Sequence, residues 1–132
     1  MFEAGRGERI LVVEDETGAR EGVRDILALL GYEVVAVGSG EEARGLPQDA
    51  PFDLLLTDLM LPGVAGPELA RGLSLRWPKL RVVLMSGYTE DDAVRDGVSG
   101  GGQRFLQKPF DIDTLAREVR AALDERQPTS TP

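Results

Sequence analysis

Short apolar runs alternate along this chain with longer stretches of helical periodicity. Ile10–Val13 is apolar on consecutive residues, with a Gly/Arg-rich stretch before it and acids after it. Thr17–Leu30 then places Ala19, Val23, Ile26, Leu27 and Leu30 on one helical face, and Gly31 is its stop signal. Glu33–Val37 reads as a second strand. Ser39-Gly-Glu-Glu42 has the form of a capping box that opens a short helix to about Leu46. Asp53–Thr57 carries Leu54, Leu55 and Leu56 in a row and predicts a third strand. Ala65–Arg76 is helical in pattern, with Pro67 tolerated in its first turn and Trp77-Pro78 ending it. Arg81–Met85 is a fourth strand. Thr89-Glu-Asp-Asp92 opens a short helix to about Gly97, and the glycine-rich stretch Gly97–Gly102 predicts a loop. Arg104–Gln107 is a fifth strand. Asp111 caps a last helix, with Ile112, Leu115, Val119, Ala122 and Leu123 on one face.

This is a (βα)5 alternation. The first, third and fourth strands are apolar on consecutive residues, as expected where helices cover both faces of a sheet. The pattern therefore predicts an α/β fold with a doubly wound, five-stranded parallel sheet. At 132 residues the chain suits one domain. Residues 1–8 read as an N-terminal linker, 9–125 as the domain and 126–132 as a C-terminal tail.

Ligands of such sheets sit beyond the carboxyl ends of the strands. Glu14, Asp15 and Glu16 follow the first strand, Asp58 the third, Ser86 and Gly87 the fourth, and Lys108 and Pro109 the fifth. Each has an ordinary reading. The acids after the first strand suit helix capping, Asp58 and Ser86-Gly87 suit turns, and Lys108 suits a solvated surface. Their convergence on one edge favours a shared site.

Composition narrows what that site can do. Cysteine and histidine are both absent, which excludes a thiol nucleophile, a disulfide framework, a Cys/His zinc site and a Ser-His-Asp triad. Lys79 and Lys108 are the only lysines. The 15 basic and 23 acidic residues leave a net charge of −8, which argues against a nucleic-acid or anionic-membrane surface. The N-terminus lacks the apolar core of a signal peptide, and no apolar run approaches the ~20 residues of a membrane span. A cytoplasmic protein is expected.

Carboxylates crowded together repel, and a hard divalent cation such as Mg2+ relieves this through oxygen ligands. A lysine and a hydroxyl at the same edge can bond phosphate oxygens, and aspartate can act as a nucleophile toward phosphorus. The chemistry suggested is phosphoryl transfer.

Four stretches carry a resemblance: Ile10-Leu-Val-Val-Glu-Asp-Glu16, Leu54-Leu-Leu-Thr-Asp-Leu-Met-Leu-Pro-Gly63, Val83-Leu-Met-Ser-Gly87 and Phe105-Leu-Gln-Lys-Pro-Phe110. With them the chain resembles the receiver domain of two-component response regulators over about residues 8–125. The resemblance implies a flavodoxin-like strand order of 2-1-3-4-5. It implies that Asp58 accepts a phosphoryl group from a histidine kinase or phosphotransfer domain. Glu14 and Asp15 match the acidic pair serving Mg2+, with Asp15 the more direct ligand, and Met60 matches a position whose main-chain carbonyl binds the metal. Ser86 matches the switch hydroxyl, Phe105 the switch aromatic, and Lys108 the lysine that binds a phosphate oxygen. Pro109 matches a proline that typically follows a cis bond. Met60 and Tyr88 match the positions that roof the phosphorylated site. Glu16 has no firm family role and is assigned to helix capping.

Gly97–Gly102 departs from the family pattern, which has a longer and firmer helix there. That helix, the fifth strand and the last helix form the usual signalling face. A Mg-dependent aspartyl-phosphate phosphatase would want an acid two residues after its nucleophile, where this chain has Met60. A flavodoxin-like cofactor binder would want a Ser/Thr/Gly-rich loop where Glu14-Asp-Glu16 stands. A receiver turns over no metabolite and catalyses only its own phosphorylation and dephosphorylation. The stretches around Ser86 and Phe105 look similar to receivers attached to hybrid sensor histidine kinases, which favours origin in such a polypeptide. A monomer or weak dimer is expected.

Overall fold

The computed structural model describes residues 5–49, 51–87 and 104–125. Within them run β1 (Arg9–Val13), α1 (Thr17–Leu29), β2 (Glu33–Val37), α2 (Gly40–Arg44), β3 (Leu54–Asp58), α3 (Gly66–Arg76), β4 (Arg81–Ser86), β5 (Arg104–Gln107) and α4 (Ile112–Asp124). The helix expected from Thr89, the Gly97–Gly102 loop, Tyr88 and the tail from 126 lie outside the described residues. The sheet has the order β2-β1-β3-β4-β5, and every pairing is parallel. The flavodoxin-like order is thus present.

Two strands run further than their apolar patterns suggest. Asp58 and Ser86 are the last residues of β3 and β4 because the ladders continue through them, pairing Asp58 with Met85 and Ser86 with Gln107. The second helix is shorter than expected and ends at Arg44, with Gly45 as its cap. The Ser39 side chain accepts the Glu42 N–H as a capping box requires, but Glu42 reaches back to the N–H of Gly38 rather than of Ser39.

Side chains alternate across the sheet and build one core on each face. On one face Ile10, Val12, Leu54, Leu56, Val83, Met85 and Leu106 meet Val23 and Leu27 of α1 and Leu115, Val119 and Ala122 of α4. On the other, Leu11, Val13 and Leu55 meet Ala43 of α2 and Leu69, Ala70, Leu73 and Trp77 of α3 and its cap. Burial on both faces is what the continuous apolar runs record.

At the far end from the strand carboxyl termini, Arg120 of α4 is buried and bonds Glu8 at 2.7 Å and Asp124 at 2.9 Å. Gly7 N–H also donates to the Gly31 carbonyl at 3.0 Å, so the stretch before β1 lies against the domain. Burial pushes the Glu8 carboxyl up, but the Arg120 hydrogen bond, backbone donors and the guanidinium charge outweigh it and hold it below its ordinary value. A lowered carboxyl pKa stabilises the fold above the unfolded-state value of about 4.3 and loses that contribution as pH falls through the folded-state value. Urea midpoints are therefore expected to fall as pH drops from about 5 toward 3. Glu8→Gln should be less stable at pH 7 and show a shallower acid slope; superimposable wild-type and variant curves would count against the Glu8–Arg120 pair.

Candidate phosphoryl-transfer site

The alternation that builds the core also builds the site. Ile10 and Val12 point to the α1/α4 face, so Glu14 emerges on that side two residues on. Its N–H still donates to the Val37 carbonyl at 3.1 Å, so the strand geometry persists one residue beyond β1. The same step takes Leu54 and Leu56 to Asp58, and Leu106 to Lys108, whose N–H donates to the Ser86 carbonyl at 2.8 Å. Three strand ends deliver Glu14, Asp58 and Lys108 to one side of one edge.

They meet there. The Lys108 Nζ donates to Glu14 Oε1 at 2.5 Å and to Asp58 Oδ2 at 3.0 Å. Glu14 is only 1% exposed, and its Oε2 accepts the Glu16 N–H at 3.1 Å. Burial would lower the Lys108 pKa, but hydrogen bonds and charge from Glu14 and Asp58 outweigh it and hold the ammonium above its ordinary value. Glu14, Asp15 and Asp58 each bring a carboxylate oxygen within 4.8 Å of the others. This donor set fits Mg2+, which takes hard oxygen ligands. Both Glu14 oxygens are engaged, whereas among the described residues no side chain bonds the exposed Asp15 carboxylate. Among the described residues Asp58 Oδ1 has only the Met60 N–H, at 3.5 Å.

Residues 10–120 match the family described as the response regulator receiver domain. The chain belongs to that family. The regulator FleR of Pseudomonas aeruginosa is 36% identical over 119 residues, 87% of this chain and 25% of FleR. The receiver protein CpdR of Brucella abortus is 33% identical over 122 residues, 88% of this chain and 97% of CpdR. The structure of the response regulator TrrA of Thermotoga maritima, in complex with Mg2+ and BeF, superposes with a TM-score of 0.75 at 29% identity, covering 87% of this chain and 98% of TrrA. Several of the relatives are far longer, and this chain spans about a quarter to a third of FleR and others like it. Transcriptional regulators, a phosphodiesterase and a sensor kinase are all among them. Among the described residues no helix is long and apolar enough to cross a membrane.

In this receiver domain the remaining expected residues take different places. Ser86 is buried and, by alternation, faces the side opposite Asp58 and Lys108. Phe105 shares that face, half-buried, and pairs with Leu84 one step before Ser86. Among the described residues it packs into neither core. The Lys108–Pro109 peptide bond is cis. Met60 is 59% exposed at the site edge. Glu16 caps α1, its carboxylate accepting the N–H of Gly18 and Ala19, and so is spent on structure.

Sequence reasoning misses Arg20 and Gly66. The Arg20 Nη1 donates to the Glu14 carbonyl at 2.8 Å. Gly66 opens α3 against the site strand, where a Cβ would lie 2.3 Å from the Asp58 carbonyl oxygen. A glycine just past a Pro-Gly turn is a faint signal for such close approach, and the arginine carries none beyond its spacing from the acids.

Proposed function

We propose that this domain accepts a phosphoryl group on Asp58 from the phosphohistidine of a histidine kinase or phosphotransfer domain. The observation that carries the reading is the Lys108 ammonium held between Glu14 and Asp58 beside a third carboxylate. An Asp58 carboxylate oxygen attacks phosphorus, the P–N bond of the donor breaks, and the imidazole leaves with the bonding electron pair. The ammonium already beside Asp58 offsets the charge that the phosphoryl oxygens bring, and positioning with charge neutralisation is most of what this chemistry needs. Asp15, Asp58, Glu14 and the Met60 carbonyl would hold Mg2+, which when bound supplies further charge neutralisation. Ser86 is the last residue of β4, so its hydroxyl then rotates over the open carboxyl edge of the sheet, from the opposite side, toward the phosphoryl group. Phe105, one step away on the face it leaves, is the side chain placed to respond. A cytoplasmic setting belongs to the same proposal. So does origin in a hybrid sensor kinase, which is supported by the presence of a sensor kinase among the relatives.

Acetyl phosphate with Mg2+ is expected to give acid-labile and base-labile phosphate incorporation that EDTA abolishes. Incorporation unaffected by EDTA would contradict the metal-assisted reading. Mg2+ alone should raise the thermal midpoint. A ligand at ten times its Kd contributes about 1.4 kcal/mol, or roughly 5 °C for a domain of this size. Asp15→Asn should remove the rise.

Met60 and Tyr88 are proposed to roof the phosphorylated aspartate. Neither offers a carboxylate, amide or imidazole to orient an attacking water, so the phosphorylated form should be long-lived. Met60→Asn is expected to speed its decay about tenfold, equivalent to about 1.4 kcal/mol of barrier. Identical decay after donor removal would show that Met60 shields nothing.

A further inference from the structure

The acidic loop after β1 is held from outside the acid cluster. Glu14 donates its N–H to the Val37 carbonyl at 3.1 Å and accepts the Arg20 Nη1 on its own carbonyl at 2.8 Å. Arg20 stands on α1, near Thr17 Oγ1 at 3.4 Å, and its guanidinium lies against Gly38. A Cβ on Gly38 would fall 2.9 Å from Arg20 Nη1 and 3.6 Å from Cζ. On its other side Gly38 donates its N–H to Glu42 Oε1 at 2.7 Å. One guanidinium therefore spans from the loop carrying Glu14 and Asp15 to the turn between β2 and α2.

We propose that Arg20 is a positioning residue for metal binding, and that the bare backbone of Gly38 is the seat its guanidinium requires. The inference rests on the reading of Glu14, Asp15 and Asp58 as a Mg2+ site. Asp15 is exposed, and no described side chain holds its carboxylate. Its placement over Asp58 depends on the main chain of the preceding residue, whose carbonyl Arg20 fixes. Such outer partners commonly govern metal affinity by about 10–100-fold.

Removing Arg20 outright would confuse two effects, because losing a nearby positive charge favours a cation while losing the anchor disfavours it. Arg20→Lys keeps the charge and loses the planar fork. Gly38→Ala keeps the arginine and takes away its seat. The added methyl meets the mobile end of a side chain, and Gly38 is not among the glycines with positive φ, so the backbone accepts it. The two changes act on one contact, so their effects should not add.

The test is titration calorimetry with Mg2+ on the wild type, Arg20→Lys, Gly38→Ala and the double variant, with urea midpoints taken in EDTA. Each single variant is expected to weaken Mg2+ binding about tenfold. The double variant should be no weaker than the weaker single, and the Gly38→Ala midpoint in EDTA should match wild type. Wild-type affinity in both single variants would overturn the role of Arg20 while leaving the metal site standing. So would additive losses, or losses matched by lowered midpoints. A wild type that binds no Mg2+, or binds it equally well after Asp15→Asn, would instead remove the site on which the proposal rests.

Discussion

Asp58→Asn is expected to abolish phosphate uptake from acetyl phosphate in Mg2+ without unfolding the domain. The nucleophile is lost because a neutral amide oxygen does not attack phosphorus as a carboxylate does. The shape is kept. Asparagine preserves an oxygen for the Met60 N–H, and Lys108 retains Glu14 as its partner. In the wild type Glu14 and Asp58 share one ammonium with the Asp15 carboxylate close by, so removing one negative charge relieves repulsion rather than stranding a charge. The urea midpoint of the variant should therefore be no lower than that of wild type. Uptake that persists at the wild-type level would place the acceptor elsewhere.

Lys108→Met should slow the reaction rather than abolish it, and should do more damage to the fold than Asp58→Asn. Glu14 is buried at the edge of the core, and the ammonium is the cation bonded to its side chain. Breaking one half of a buried pair costs about 3–5 kcal/mol. The Lys108 side chain is 27% exposed, so water compensates in part and about 1–3 kcal/mol is expected. Phosphate uptake should slow about a hundredfold, the loss typical when one charge-stabilising donor is removed. Because Mg2+ can neutralise the same carboxylates, its addition should restore more stability to this variant than to wild type. A variant as stable as wild type in EDTA would show that Glu14 does not depend on Lys108.

The architecture was legible because burial on both sheet faces leaves an unmistakable mark, seen in Ile10–Val13, Leu54–Leu56 and Val82–Met85. The site was legible for the same reason. Once a parallel sheet is read, the residue following each apolar run must stand at its carboxyl edge, and Glu14, Asp58 and Lys108 carry chemistry that fits together. Strand ends were less legible because hydrogen bonding, not hydropathy, sets them, and the ladder carries Asp58 and Ser86 into β3 and β4. The contacts of Arg20 and Arg120 were not legible at all. Both guanidiniums reach groups distant in the chain or on the backbone, and no local pattern distinguishes them from surface arginines. Glu16 shows the converse: its cap on α1 follows from its place directly before a helix, and the structure shows the carboxylate spent there.

The central claim, that Asp58 is the acceptor, is tested most directly by reducing the freshly phosphorylated domain with borohydride and sequencing the peptides by mass spectrometry. Borohydride converts an aspartyl phosphate to homoserine. The expected result is homoserine at position 58 alone, formed only with both donor and Mg2+ present. Homoserine at Asp15, or stable phosphate on Ser86 with Asp58 intact, would contradict it.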